Sequence, residues 1–235
     1  LAAPQRAIIR DLVASMAEGM CWSSERFERQ GSVLEDDEQL TRYCRNVLGL
    51  PVVFAMRLLV SPEPSPELVE DAMLVGELIQ LANVTRDIEK DLTRGVAYHP
   101  HLKAFLGGPA DEAAAEIRAV REELLRRALH LVPAYGRVLG SVRLPRFSIG
   151  RASAVLMLLF TDRYFRACAR RVGVPTRSAH RNLLALMLEA WPAAVSRRWT
   201  KRVVDRVERS LLSAAVRPVA HADDEGVSRV RRARP

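Results

Sequence analysis

Four side chains with oxygen ligands stand at regular helical spacing within the run QLANVTRDIEKD: Gln80, Asn83, Asp87 and Asp91. Steps of three, four and four residues place all of them along one stripe of an α-helix. The stripe rises by about 6 Å for every four residues. Mg²⁺ is usually held by one or two carboxylates, by waters and by substrate phosphate oxygens. The spacing therefore predicts a site for metal and diphosphate on a helix wall.

The alternative is an ordinary solvent-facing helix. The pattern D-x-x-x-D occurs on many exposed helices, where Arg86, Lys90 and Arg94 would make weak surface ion pairs. Two features favour the site instead. The stripe includes two uncharged amides, which a solvated face does not require. The opposite side of the helix is apolar, with Leu74, Leu78, Leu81, Val84 and Ile88, so we expect a packed helix whose polar stripe faces something particular.

Composition favours an all-α protein. The chain has 235 residues, and only 6% of them are aromatic. That length suffices for one domain with a substantial core, and strong helix formers dominate while β-branched runs are short. Neither a G-x-G-x-x-G pattern, nor a Walker A sequence, nor a 20-residue apolar stretch is found, which excludes Rossmann, P-loop and transmembrane interpretations. We predict a single helical bundle over residues 1–215 and a basic, disordered tail at 216–235.

Helical periodicity and breaker residues divide the chain further. Ser65 followed by Pro66 is typical of a helix start, and Gly95 is typical of a helix end. A charged connection is expected from Glu25 to Asp37. The predicted helices are 4–20, 38–59 with an interruption near Pro51, 65–93, 110–130, 132–140, 147–172, 177–196 and 198–215.

Cysteine use and charge bear on location and partners. The three cysteines lack C-x-x-C spacing, which is typical of reduced thiols in a cytosol-like compartment, and no signal peptide is recognisable. The net charge of +8 is concentrated late in the chain. A solvated basic face is the commonest explanation, and peripheral contact with an anionic membrane is the second. Little aromatic interleaving accompanies the charge, so no nucleic-acid partner is expected. We predict a cytoplasmic protein, with a membrane-peripheral location as the alternative.

Two further segments flank the stripe. Residues 43–49 read YCRNVLG, where a tyrosine is usually a core or rim residue. Gly49 inside a helical run indicates close helix packing or room for a ligand. Residues 94–100 read RGVAYHP, which is typical of a glycine C-cap or of a cationic flap beside a bound diphosphate.

Together these segments resemble the squalene/phytoene synthase family of head-to-head prenyl transferases. The family's second aspartate-rich motif, N-x-x-x-D-x-x-x-D with a preceding glutamine, is matched at residues 80–91. Its Y-C-x-x-V-x-G segment is matched at 43–49, and its R-G-x-x-Y-x-P segment at 94–100. The resemblance covers roughly residues 10 to 100. It implies a helical bundle of the isoprenoid synthase type with a central active-site cavity.

The resemblance implies a Mg²⁺-dependent transferase, with Mn²⁺ as an alternative ion. Two allylic prenyl diphosphates would be joined through a cyclopropylcarbinyl diphosphate: one substrate ionises, the double bond of the other captures the cation, and a second ionisation and rearrangement joins the two C1 carbons. The roles implied are catalysis for Tyr43, Asp87 and Asp91, metal binding for Asn83, Asp87 and Asp91, and substrate binding for Gln80, Asn83, Arg94, Gly49 and Tyr98.

The same resemblance leads to expectations about the product and about the extent of the chain. Residues 94–100 resemble phytoene synthases more than eukaryotic squalene synthases, which favours condensation of two geranylgeranyl diphosphates to phytoene. The alternatives are squalene or dehydrosqualene from farnesyl diphosphate, with NADPH required only for squalene, and a non-catalytic relative that serves as an assembly factor. A basic module binding membrane or nucleic acid also stays open. The family's first D-x-x-x-D motif would lie upstream of residue 1, so we expect an N-terminally truncated chain.

Overall fold

The computed structural model of the chain describes residues 3–59, 64–141, 147–174, 176 and 182–215. Within these ranges the chain is built from helices and short turns, and one isolated parallel bridge pairs Val33 with Ala97. The prediction of an all-α protein is confirmed. The tail predicted at 216–235, most of the loop before Ser65 and the first residues of the helix predicted at 177–196 lie outside the described residues.

Nine α-helices are described, and three short segments of other helical type lie between them. The α-helices are α1 Ala3–Gln30, α2 Asp37–Cys44, α3 Leu50–Leu59, α4 Pro66–Thr93, α5 Ala114–Leu129, α6 Val132–Ser141, α7 Ile149–Arg171, α8 Leu183–Ala190 and α9 Arg197–Ala215. A π-helical segment covers Arg45–Gly49, and 3₁₀ segments cover Pro100–Phe105 and Trp191–Ala194. None of the described helices is both long enough and apolar enough to cross a membrane.

Helix α4 lies at the centre of the bundle and packs against the π segment, α3, α5, α6 and α7. Its start is the predicted one, because Ser65 accepts a hydrogen bond from the amide of Leu68 and Pro66 is the first helical residue. Its end is also the predicted one. Gly95 has φ +77°, and the amides of Gly95 and Val96 donate to the carbonyls of the last turn.

Helix α1 is longer than predicted, and the connection expected from Glu25 is wrong. The helix continues to Gln30 and ends at Gly31, whose φ is +68°. Charged residues such as Glu25 and Arg29 are good helix formers, and these two make an i,i+4 pair with a 3.7 Å contact. Charge alone therefore does not end a helix, whereas a left-handed glycine does.

The interruption expected near Pro51 takes the form of a π-helical segment just before the proline and not of a break in the helix. The chain runs from α2 through the π segment directly into α3, and Pro51 is the second residue of α3. The amide of Leu50 donates to the carbonyl of Arg45, five residues earlier. A proline lacks an amide hydrogen, so it would leave a carbonyl of the preceding turn unpaired. The wider turn just before Pro51 accommodates this without breaking the helix.

Two other boundaries differ from prediction. The helix predicted at 110–130 begins at Ala114, after a turn in which the amide of Glu112 donates to the carbonyl of Pro109. In place of the later part of the helix predicted at 177–196, α8 ends at Ala190 and a 3₁₀ turn carries the chain to Ala194. Pro192 lies in that turn, where an α-helix cannot receive an amide bond from it.

Candidate active site

The polar stripe of α4 faces the interior of the protein at its N-terminal end. Gln80 is only 8% exposed, and its Oε1 accepts a 3.2 Å hydrogen bond from Nδ2 of Asn83. Leu78, Leu81, Val84 and Ile88 on the other side are all buried. The helix is therefore packed on both sides, as predicted, and an ordinary solvated face is excluded for this part of it.

Asp87 is held by its own neighbour in the chain. Nε of Arg86 donates to Oδ1 of Asp87 at 2.9 Å, and a second guanidinium nitrogen donates to Oδ2. The same guanidinium lies 4.4 Å from the ring centre of Tyr164 on α7. The hydrogen bond from Arg86 is the main reason why the pKa of Asp87 lies below its ordinary value. This carboxylate is consequently ionised and oriented at neutral pH.

Asp91, one turn further along, has a different environment. Its carboxylate makes no hydrogen bond or ion pair with any residue in the described ranges. Burial and the negative charge of Asp87 raise the pKa of Asp91, and Lys90 and Arg94 partly oppose this. The stripe thus presents one neutralised carboxylate and one whose negative charge is uncompensated by any direct partner.

Tyr43 and Tyr98 meet beside this stripe. Their hydroxyl oxygens are 3.3 Å apart and their ring centres are 5.1 Å apart. Phe27 of α1 packs edge-on against both rings, with centre distances of 6.1 Å and 6.0 Å. Burial is the main cause that raises the pKa of both tyrosines, and the charge of Asp91 adds to it. Both phenols are therefore protonated at neutral pH.

The position of Tyr98 depends on a backbone pairing that is remote in sequence. After Gly95 the chain turns back, and the amide of Ala97 donates to the carbonyl of Ser32 at 3.0 Å. The carbonyl of Ala97 accepts from the amide of Leu34 at 3.1 Å. The turn after α1 therefore holds the segment that carries Tyr98.

The position of Tyr43 depends on glycine contacts around the π segment. A Cβ atom on Gly76 of α4 would lie 2.3 Å from the Cα atom of Gly49, and one on Gly19 of α1 would lie 2.8 Å from Cβ of Asn46. Only glycine permits backbones to approach this closely. Gly49, a candidate for substrate binding, is thus placed in a helix–helix contact, and its contact with substrate stays a prediction.

A buried carboxylate ties the same segment to the bundle. Glu77 is 4% exposed, and its side chain lies 3.1 Å from Nε of Arg45 and 3.4 Å from Nη2 of Arg127 on α5. Arg127 also donates to Thr41 and to Asp37 on α2. Helices α2, α4 and α5 and the π segment are therefore joined through one charge network next to Tyr43.

Arg94 is the C-cap residue of α4, and its side chain is exposed. The amide of Arg94 donates to the carbonyl of Asp91 at 3.0 Å. The charge of its side chain opposes the rise in the pKa of Asp91 without a hydrogen bond to that carboxylate. A small cavity opens between α4, α5 and the segment after Gly95, and Asp91, Tyr98 and His99 are among its lining residues. The larger central cavity implied by the resemblance stays a prediction.

The donor set fits a hard cation that keeps water ligands. Asp87 and Asp91 supply two carboxylates, and Asn83 supplies an amide oxygen on the turn before them. Mg²⁺ is held by one or two carboxylates together with waters and phosphate oxygens. In the described part of the chain, no three His, Cys, Asp or Glu side chains are grouped to bind a metal by themselves, so part of the coordination would come from water and a diphosphate.

Sequence reasoning missed three contributors to this site. Glu77 continues the stripe three residues before Gln80, a signal that the spacing already contained. Arg86 was interpreted only as a surface charge, although it stands directly beside Asp87. No sequence pattern pointed to Phe27, because its contact with Tyr43 and Tyr98 depends on how α1 packs.

Comparison of the sequence with known proteins assigns the chain to a family. The family model described as squalene/phytoene synthase matches residues 1–184. A squalene synthase from Gibberella zeae is 31% identical over 102 residues, which are 42% of this chain and 22% of that protein. A 4,4'-diapophytoene synthase from Staphylococcus haemolyticus is 35% identical over 82 residues, 34% of this chain and 28% of that protein. The matched part thus spans about a quarter of the length of these curated relatives. The chain belongs to the squalene/phytoene synthase family.

Proposed function

We propose that the protein to which this chain belongs is a transferase that condenses two allylic prenyl diphosphates head-to-head through a cyclopropylcarbinyl diphosphate. The observation that carries the proposal is the arrangement of Asp87 and Asp91 on one wall, with the hydroxyl pair of Tyr43 and Tyr98 next to them. Such a site combines anionic metal ligands with protonated phenols in one place.

The carboxylates would bind the charged end of the substrate. Bound Mg²⁺ would supply the positive charge that neutralises a diphosphate leaving group. The Asp91 carboxylate is available for this because it has no direct partner among the described residues. Asp87 would bind the ion either while it keeps its hydrogen bonds to Arg86 or after it gives them up. Arg94 stands exposed at the end of the same helix and would contact the diphosphate oxygens. Gln80 and Asn83 would orient the diphosphate through their amide groups.

The tyrosines would act on the hydrocarbon end. Ionisation of an allylic diphosphate leaves a delocalised cation, and aromatic faces attract cations. Tyr43, Tyr98 and Phe27 provide such faces in a partly buried cluster. The hydroxyl of Tyr43 would stabilise the cation or transfer the proton. The hydroxyl of Tyr98 would fix the orientation of the Tyr43 hydroxyl. Exclusion of water by the surrounding packed helices would protect the cation from hydrolysis.

Two alternative products are proposed. Residues 94–100 support two geranylgeranyl diphosphates and phytoene. The relatives found by comparison are named for squalene and for 4,4'-diapophytoene. These names favour the alternative, in which the substrate is farnesyl diphosphate. NADPH would be needed only where squalene is the product. We also propose that the enzyme is cytoplasmic and contacts a membrane peripherally.

The test uses the full-length natural protein. Each of the two diphosphates is supplied with Mg²⁺, with and without NADPH, and the products are identified by mass. Asp87→Ala removes a proposed metal ligand, and Asp111→Ala removes an exposed carboxylate before α5 as the matched control. A C40 or C30 hydrocarbon that disappears only in Asp87→Ala supports the proposal. Absence of product and of released diphosphate from a folded protein would overturn it in favour of an assembly factor.

A further inference from the structure

Helix α8 exposes four of its five large apolar side chains, whereas Leu186 is buried and its charged side chain points towards the protein. Leu184 is 62% exposed, Leu188 is 65% exposed and Trp191 is 61% exposed, and Leu183 and Met187 are also exposed. Glu189, the one charged residue of α8, instead pairs with Arg206 of α9 on the protein side. A surface helix of a soluble domain normally shows the opposite arrangement.

The exposed apolar surface continues beyond α8. Val195 is exposed, and the amide of Ser148 donates to the carbonyl of Ala194 at 2.8 Å. This bond places Phe147 and Ile149, both exposed, beside the end of the 3₁₀ turn. We call the whole surface the apolar face; its members are Phe147, Ile149, Leu183, Leu184, Met187, Leu188, Trp191 and Val195. A contiguous apolar surface with a polar rim marks a binding surface.

One edge of the apolar face is basic. Arg198 follows Val195 by three residues, and Lys201 and Arg202 continue one exposed stripe along α9. Asp205 is the acidic residue that pairs with Lys201, at 3.3 Å. Leucines, methionine and a tryptophan beside arginine and lysine are typical of helices that lie in a membrane interface.

We propose that the apolar face docks onto the surface of an anionic lipid bilayer, with α8 lying in the interface and Arg198 and Arg202 contacting lipid phosphates. Charge complementarity selects this occupant over a second copy of the chain. A symmetric dimer would bring the same basic edge from two molecules to one interface, where like charges repel. Half of the apolar face, from Met187 to Val195, lies beyond residue 184, where the match to the family ends. This docking rests on the peripheral membrane contact proposed above and names its surface, but it does not depend on the proposed reaction.

Vesicle binding tests the proposal. The full-length natural protein is sedimented with vesicles of phosphatidylcholine alone and of equal phosphatidylcholine and phosphatidylglycerol. We expect the anionic vesicles to bind more protein, and added salt to weaken binding through screening of the arginines. Leu184→Glu with Leu188→Glu should reduce the partition coefficient at least tenfold, and Arg198→Gln with Arg202→Gln about tenfold on anionic vesicles only.

Two controls keep the test decisive. Val13→Glu places the same charge at a 62% exposed apolar residue of α1, and it should leave binding unchanged. Intrinsic fluorescence should shift to the blue on vesicle addition, and Trp191→Phe should remove that shift. The proposal is overturned if the wild-type protein fails to bind anionic vesicles, or if the leucine double variant binds as well as wild type. A wild-type dimer that Leu184→Glu with Leu188→Glu converts to a monomer, without vesicle binding, would assign the apolar face to self-association instead.

Discussion

The hydroxyl of Tyr43 lies 3.3 Å from the hydroxyl of Tyr98, although 55 residues separate them in the chain. Tyr43 belongs to a helix that Glu77 and Gly76 fix against the bundle, and Tyr98 belongs to a segment that the turn after α1 fixes by backbone bonds. Each phenol therefore restricts the other, next to the carboxylates of α4. This contact joins the two motifs in one candidate site.

The tyrosine pair should be coupled in function. Tyr43→Phe should lower kcat of the full-length enzyme by about 100-fold if its hydroxyl handles a proton or a cation. Tyr98→Phe should cost less, because it removes only the partner that directs Tyr43. The double variant should then be no worse than Tyr43→Phe alone, since neighbouring residues of one network are not additive. Losses that multiply fully in the double variant would show that the two hydroxyls act independently.

Asp91→Asn should stabilise the metal-free protein at neutral pH. A raised pKa means that the folded protein holds the Asp91 proton more tightly than the unfolded chain, so the ionised form opposes folding. This penalty is absent well below the ordinary aspartate pKa of 3.8 and complete above the raised value. Burial is the main cause of the raised pKa, and repulsion by Asp87 is the second. Relief of that i,i+4 repulsion alone corresponds to a rise in Tm of about 1 °C.

Thermal unfolding in the presence of a chelator measures this effect. The gain from Asp91→Asn should shrink as the pH is lowered towards 3.8, and Asp111→Asn should show no comparable gain. A lower Tm for Asp91→Asn at neutral pH would contradict the assignment of Asp91 as an uncompensated carboxylate.

Arg86→Gln should strengthen the binding of Mg²⁺ alone. In the structure Arg86 occupies both oxygens of Asp87, so it competes with a cation for the same lone pairs. Its removal should lower the dissociation constant for Mg²⁺ about two- to fivefold, as expected for the loss of a partly exposed ion pair. Titration calorimetry of the full-length protein measures this change. Arg137→Gln is the control. It breaks the ion pair between Arg137 of α6 and Asp71 in an earlier turn of α4, and it should leave Mg²⁺ affinity unchanged.

Sequence predicts local features of this protein better than its contacts. The start of α4 at Ser65 and its end at Gly95 follow from capping residues that act within one turn. The predicted end of α1 is wrong because charged residues such as Glu25 and Arg29 are good helix formers, so the helix continues until the left-handed Gly31. The contact between Tyr43 and Tyr98 depends on packing across the bundle, which no local spacing encodes. The family resemblance implies only that Tyr43 and Tyr98 both act on the substrate, although their motifs stand far apart in the chain.

Glu77→Gln should destabilise the fold far more than Glu70→Gln. Both carboxylates contact Arg45, but Glu77 is buried against a second arginine as well, whereas the Glu70 side chain is 54% exposed. Removal of one partner from a buried pair costs about 3 kcal/mol, and an exposed pair contributes about 0.5 kcal/mol. Urea unfolding of both variants gives the comparison directly. Equal losses would mean that the network around Arg45 and Arg127 does not stabilise the protein through burial of Glu77.

Gly76→Ala should disrupt the contact that positions the π segment. The added methyl group would lie 2.3 Å from the Cα and N atoms of Gly49. These are backbone atoms, so neither can rotate away, and one helix must shift. Overpacking of this kind costs about 1–3 kcal/mol and occasionally more. Because the π segment follows Tyr43 directly, the shift should also lower kcat of the full-length enzyme.

Gly140→Ala provides the matched control for this substitution. Gly140 lies in α6, and a Cβ atom there would have no neighbour within 4 Å. Alanine should therefore leave stability unchanged or raise it by about 0.5–1 kcal/mol, because it restricts the unfolded chain. Urea unfolding of both variants should separate them by about 1–4 kcal/mol. Similar free energies of unfolding would show that α4 and the π segment can move apart at no cost, and that the close glycine contact does not hold Tyr43 in place.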